Sequence, residues 1–215
     1  NAAAFFNHWV FAYAAVCLFE LLNPFVELSF GAKYLFETSV VLILCINFYI
    51  YGITKTGKIF HNSLGLFWYD RYKAIIEAAI NLIASLILVH NFGVFGIFMG
   101  TLISTVLTTL WVEPFVIYKY HFKERVTGYY LCMACYFVQT AFAWAVAHFA
   151  CVRIEKISGI AGCIPQIAVR LVIVTVIVNG IFLIININNK NFRFLLAKFF
   201  SIIRAGKSGK NGVQR

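Results

Sequence analysis

The chain has 215 residues, of which 62% are hydrophobic and only 12% charged, with a formal net charge of +10. Soluble domains run at roughly 25% charged and 45–50% apolar residues, so a water-soluble globule is excluded. The alternating segments of about ten residues that mark a transmembrane barrel are also absent, which leaves an all-α integral membrane protein.

Hydropathy marks six spans, at about 3–22, 36–54, 72–91, 94–118, 129–151 and 164–187, each near the ~20 residues that a bilayer requires. The expected fold is a six-transmembrane-helix bundle, residues 1–187, followed by a tail, 188–215. Assigning loops to alternate sides places fourteen Lys and Arg on one side, seven of them in the tail, against Lys33, Arg153 and Lys156 on the other. This is a strong positive-inside bias, so the tail and the loops at 55–71 and 119–128 are expected in the cytoplasm. The net charge then reflects topology and gives no reason to invoke nucleic acid.

The first span, "NAAAFFNHWVFAYAAVCLFELL", begins without Met and without a basic start or small-residue cleavage site. It reads as a span rather than a signal peptide, and further sequence is expected before Asn1. Asn7, His8 and Trp9 enter from the cytoplasmic side, and Glu20 lies near the outer end. A lone His there is interfacial or satisfied within the bundle; facing water, it could carry a coupled proton.

In the third span Lys73, Glu77, Asn81 and Ser85 recur every four residues, which makes one slowly rotating polar strip. Arg71 and Lys73 suit a membrane anchor. Glu77 and Asn81 are costly toward lipid and should face other helices, as packing groups or as a polar lane. The turn at Asn91–Gly93 is so short that spans three and four must form a tight antiparallel hairpin. Gly96, Gly100, Ser104 and Thr108 then recur at intervals of four and allow close helix approach. Glu113–Pro114 sits near the cytoplasmic end of that span, where Pro can kink or end it.

Cys132 and Cys135 form a C-x-x-C inside the fifth span, with no second Cys/His pair to complete a metal site. Cys151 and Cys163 bracket an outside loop and could pair. Arg170 lies about 9 Å below the outer end of the sixth span, at a depth compatible with Glu20. It forms either a structural Glu20–Arg170 pair or a cationic group for an anionic substrate. "NFRFLLAKFFSIIRAGKSGK" reads as a basic amphipathic helix on the anionic leaflet. No nucleophile–base order, paired carboxylates or nucleotide fingerprint is present, so no enzyme, metal or cofactor is expected.

Three stretches carry a family resemblance: "NPFVELSFGAKYLFETSVVLILCINFY", "GLFWYDRYKAIIEAAINLIASLILVHNFGVFGIFMGTLIST" and "EPFVIYKYHF". Pro24, Leu28, Gly31 and Tyr34 fit one family pattern. Gly65, Lys73, Glu77, Asn81, Leu82, Gly93, Gly96, Gly100 and Thr101 fit a second. The chain resembles the polysaccharide-biosynthesis flippases, the Wzx-type O-antigen translocases of the MATE-like superfamily, over about residues 20–125. The resemblance implies the C-terminal lobe of a two-lobed transporter whose N-terminal half lies outside this sequence. It implies transfer of an undecaprenyl-pyrophosphate-linked oligosaccharide from the cytoplasmic to the outer leaflet of a bacterial inner membrane. The partners would be that lipid, the bilayer and polysaccharide polymerase machinery. Asn7, His8, Glu20 and Asn47 become candidate cavity-lining groups by chemistry and placement, with Arg170 a partner for the pyrophosphate. The alternatives are a peptidoglycan-precursor flippase, a multidrug extruder, a membrane polymerase or acyltransferase of the same pathway, or a non-transporting scaffold.

Overall fold

The computed structural model describes residues 2–158, 163–194, 197, 198 and 201, with side chains at 154–158 and 163 outside the description. Within them helix is the only regular secondary structure, about 90% of the residues, without strands. Five helices are long and apolar enough to cross a membrane: Ala2–Phe30, Thr38–Ser63, Lys73–Phe122, Thr127–Arg153 and Ile164–Asn186, with mean hydropathies from 1.4 to 2.6. Large apolar side chains cover their outer surfaces, among them Ile75, Leu86, Ile87, Val138 and Ile184. Such a surface is untenable in water and ordinary in lipid. The chain is a multi-pass membrane protein.

Helix α1 is Ala2–Phe30, α2 is Thr38–Ser63 and α3 is Lys73–Leu107. A short α4, Thr109–Val116, follows and leads into a π-helical stretch, Ile117–Phe122. Helix α5 is Thr127–Ser158 and α6 is Cys163–Asn186. Several helices outrun the apolar segments that announce them. Helix α1 continues to Phe30 and α2 to Ser63, because backbone hydrogen bonding does not stop where apolar composition does.

The stretch Lys73–Phe122 counts 50 residues, about 75 Å if straight, against a hydrocarbon core of about 30 Å. It does not run straight. Gly93 has φ 55 and ψ −135, a combination that a side chain makes costly, and the chain reverses there. Beyond it Gly96 packs on the backbone of Leu88 and Val89, and Gly100 on Ser85. Ser85 Oγ donates to the Ile97 carbonyl at 3.3 Å. Thr109 reaches Glu77 and Lys73 reaches Glu113, so the two arms run antiparallel along their whole length.

The core lies elsewhere, between α1, α2, α5 and α6. It contains Ala12 and Val16 from α1, Tyr49 and Ile53 from α2, Ala143 and Ala147 from α5, and Val174 and Phe182 from α6. Small residues along α1 bring its neighbours close on three sides. Phe11 packs on Gly52, where a Cβ would stand inside the ring. The paired residues set directions: α1 is antiparallel to α2 (Asn7 with Thr56) and to α6 (Trp9 with Asn179), but parallel to α5 (His8 with Tyr136, Glu20 with His148). The reversing arm of α3 leans on α2 from outside.

Cys151 is buried in this core, whereas the Cys163 side chain, and with it the Cys151–Cys163 pairing, lies outside the description. The basic amphipathic tail lies largely outside it too. Within the described part of the tail, Phe192 packs on Phe5 and Trp9.

Candidate functional site: polar groups buried between the helices

Polar clusters interrupt the apolar packing between the spanning helices. The first joins α1, α5 and the N-terminal part of α6. Glu20 on α1 is 1% exposed. Its Oε1 lies 2.7 Å from His148 Nδ1 on α5, and its Oε2 lies 3.4 Å from Arg170 Nη1 on α6. The same guanidinium nitrogen donates to the Glu20 backbone carbonyl at 3.0 Å. Pro24 accounts for that second bond. It stands inside α1 and has no N–H, so the carbonyl four residues earlier loses its helical partner. That carbonyl belongs to Glu20. In hydrocarbon an abandoned carbonyl must be satisfied from a neighbouring helix, and Arg170 does so while also meeting the carboxylate. Phe19 and Trp144 flank the His148 ring, whose side chain stays 43% exposed.

The second cluster is deeper in α1. His8 is fully buried, stacked on Tyr136 at 4.1 Å, with Nδ1 2.9 Å from the Tyr49 hydroxyl. Thr140 Oγ1 lies 3.0 Å from that hydroxyl and 2.9 Å from the Tyr136 carbonyl. The Thr140 hydroxyl shares its one hydrogen between those two oxygens, and the direction of the His8–Tyr49 bond follows the imidazole tautomer. Gln139 lies beside the His8 ring, but neither His8 Nε2 nor Gln139 Nε2 reaches a protein partner. Rungs to α6 flank this chain: Trp9 Nε1 donates to Asn179 Oδ1 at 2.9 Å, and Tyr13 meets Thr175 at 2.8 Å.

The third cluster joins the arms of the hairpin. Lys73 Nζ donates to Glu113 Oε1, with the two side chains 13% and 6% exposed. One turn further in, Thr109 donates to Glu77 Oε2 at 2.9 Å, and the Ser85 hydroxyl, 3.0 Å from Asn81 Oδ1, shares its one hydrogen between that oxygen and the Ile97 carbonyl. The strip of Lys73, Glu77, Asn81 and Ser85 thus faces the returning arm at Lys73, Glu77 and Ser85. Lys73 pairs across the hairpin with Glu113 instead of along its own helix with Glu77. Gly96, Gly100 and Ser104 are the buried residues of α3. Outside the hairpin, Arg71 sits over the Trp68 and Tyr72 rings at 4.2 and 4.8 Å.

The structure therefore brings Glu20 and Arg170 together and adds His148. Asn7 donates to Thr56 Oγ1 at 2.6 Å, and Asn47 donates to the Phe98 carbonyl at 2.9 Å, so both amides tie α2 to a neighbour. His8 is held by aromatic groups but also borders a cavity at the basic end. Sequence reasoning missed His148, Thr140 and Gln139 because they join α1 only through its parallel alignment with α5, and Tyr49 because it meets His8 only once α2 packs beside α1. It could have found the Glu113 pairing. Lys73 and Glu113 stand equally far from Gly93 along the chain, as do Glu77 and Thr109, so reflection about the turn predicts both contacts. Among the described residues, no three His, Cys, Asp or Glu side chains gather where a metal could bind. No family model, curated protein or solved structure matches the chain.

Proposed function

We propose that this chain is one lobe of a carrier that moves a lipid-linked oligosaccharide between bilayer leaflets. One observation carries the reading: residues of the flippase-like pattern are the ones from which the hairpin is built. Lys73, Glu77, Gly96 and Gly100 each make a contact between its arms, and Gly93 is its turn. We read the two arms of Lys73–Phe122 as separate crossings, which gives the lobe six spans, with the basic loops and the tail in the cytoplasm of a bacterium. A lobe whose buried Glu20 and Glu113 are paired inside it with Arg170 and Lys73 is suited to move as a rigid body. Rigid-body rocking of two such halves is the common way that carriers alternate access. Cargo with a pyrophosphate and sugars would then travel between this lobe and a second one, while its hydrocarbon chain stays in lipid.

The test is genetic and chemical. Deleting the full-length gene in its native host should leave complete single repeat units on polyprenyl pyrophosphate facing the cytoplasm, identified by mass. Single units that reach the outer leaflet without being polymerised would assign the gene to polymerisation and defeat the transport reading.

A further inference from the structure

At the basic end the bundle opens into two adjoining cavities of about 300 and 350 Å³ that share Ala4, Tyr118, Glu124 and Tyr129. Tyr118 comes from the π-helical stretch and Tyr129 from the first turn of α5, with their rings 5.8 Å apart. Such π-helical insertions recur at functional sites because the wide turn re-aims side chains. Arg125 lines the first cavity, and Lys119 and Lys123 line a recess beside it that shares Tyr118, Glu124 and Arg125. Among the described residues none of these three cations is in an ion pair. The mouth therefore carries three positive charges against the one carboxylate of Glu124.

The cavity reaches as far as Ile53 on α2 and Met133 and Tyr136 on α5. One turn further along the same helices, at Tyr49 and Phe137, an almost wholly apolar groove of about 520 Å³ begins. Ala15 and Val16 of α1 line it together with Leu42 and Ile46 of α2 and Val138 and Ala141 of α5. Cavity and groove thus lie one after the other along the same three helices, a charged, hydroxyl-rich end followed by a hydrocarbon-lined one. From Tyr129 to Trp144 the lane spans about 22 Å.

We propose that this lane binds a lipid whose headgroup is a glycosyl phosphate or diphosphate. The phosphate meets the Arg125 guanidinium, which is suited to its oxygens. Glu124 decides for a sugar over a bare anion: a carboxylate would repel a phosphate alone, whereas it accepts hydrogen bonds from sugar hydroxyls. Tyr118 and Tyr129 offer apolar ring faces with polar hydroxyl tips, as a sugar ring requires. The hydrocarbon chain follows the groove. The identity of the lipid rests on the transport reading above, but the lane itself rests on the cavities.

Binding to the full-length protein in nanodiscs tests it, with a polyprenyl diphosphate monosaccharide as probe. The controls are the same lipid without sugar, the soluble glycosyl diphosphate without its chain, and phosphatidylglycerol. Arg125→Ala should weaken both diphosphate lipids about tenfold, and Glu124→Gln should weaken only the sugar-bearing one. Ala141→Trp, which fills the groove from a lipid-facing position, should weaken both lipids and spare the soluble headgroup. Unchanged probe binding in Arg125→Ala and Ala141→Trp, or equal competition by phosphatidylglycerol, would overturn the lane. Normal transport with those variants would overturn it while leaving the carrier intact. Lane binding in a protein that moves no sugar lipid would instead overturn the carrier alone.

Discussion

The Lys73–Glu113 pair gives the sharpest test of how the hairpin is held. Neither side chain is more than 13% exposed, so little solvent screening applies. At hydrogen-bond contact, with an effective dielectric of about 20, two unit charges attract by about 5 kcal/mol. Desolvation offsets much of that, and removing one partner of a buried pair costs about 3–5 kcal/mol because the other charge remains in place. Lys73→Met should therefore destabilise the protein by about 3 kcal/mol, and Glu113→Leu by a similar amount. The double variant exchanges the pair for apolar contact and should return to within about 1 kcal/mol of the parent. The assay is a double-mutant cycle of reversible unfolding in mixed micelles, with the coupling energy as readout. A coupling below about 0.5 kcal/mol would refute the reasoning: each charge would then reach the interface on its own.

Other predictions follow from the same contacts. Gly100→Ala places a Cβ against the backbone of Ser85, which cannot give way, and should cost about 1–3 kcal/mol, whereas Gly57→Ala has open space and should be neutral or stabilising by up to ~1 kcal/mol; melting temperatures of the pair check this. Asn179→Leu removes the rung from Trp9 and should cost about 0.6 kcal/mol, the usual worth of an interhelical bond in a bilayer, measured by the same unfolding assay. Pro24→Ala restores an N–H to compete for the Glu20 carbonyl, so the Arg170 guanidinium should loosen, seen as faster side-chain exchange by NMR. Cys132 lines the basic-end cavity and Cys151 is buried in the core; a charged maleimide added at that end should label the first and spare the second, as mass spectrometry of peptides would report.

Much of the architecture was legible because lipid imposes few solutions. Uninterrupted apolar runs must be helices, and an Asn91–Gly93 turn between two of them leaves no room for anything but reversal. Glu20 and Arg170 could be matched by depth alone, since a charge in hydrocarbon seeks a partner at its own level. What depth could not supply was azimuth. Lys73 faces the returning arm and not Glu77, because positions four apart on one helix are neighbours whether or not they point at each other's charges. His148 was out of reach for a related reason: α1 and α5 run parallel, and no local spacing records which distant helix a residue meets. The role of Pro24 was hidden as well. Its missing N–H is plain in the sequence, but that the freed carbonyl belongs to Glu20 matters only once Arg170 is seen beside it.

Transport of a sugar-bearing lipid is the central claim, and reconstitution reaches it most directly. The full-length protein would be placed in liposomes carrying a polyprenyl pyrophosphate oligosaccharide, and the fraction of glycan open to an external glycosidase followed in time. The account predicts that protein-containing vesicles expose glycan from the inner leaflet, while protein-free vesicles keep about half of it protected. Equal protection in both, with folded and correctly inserted protein, would contradict it.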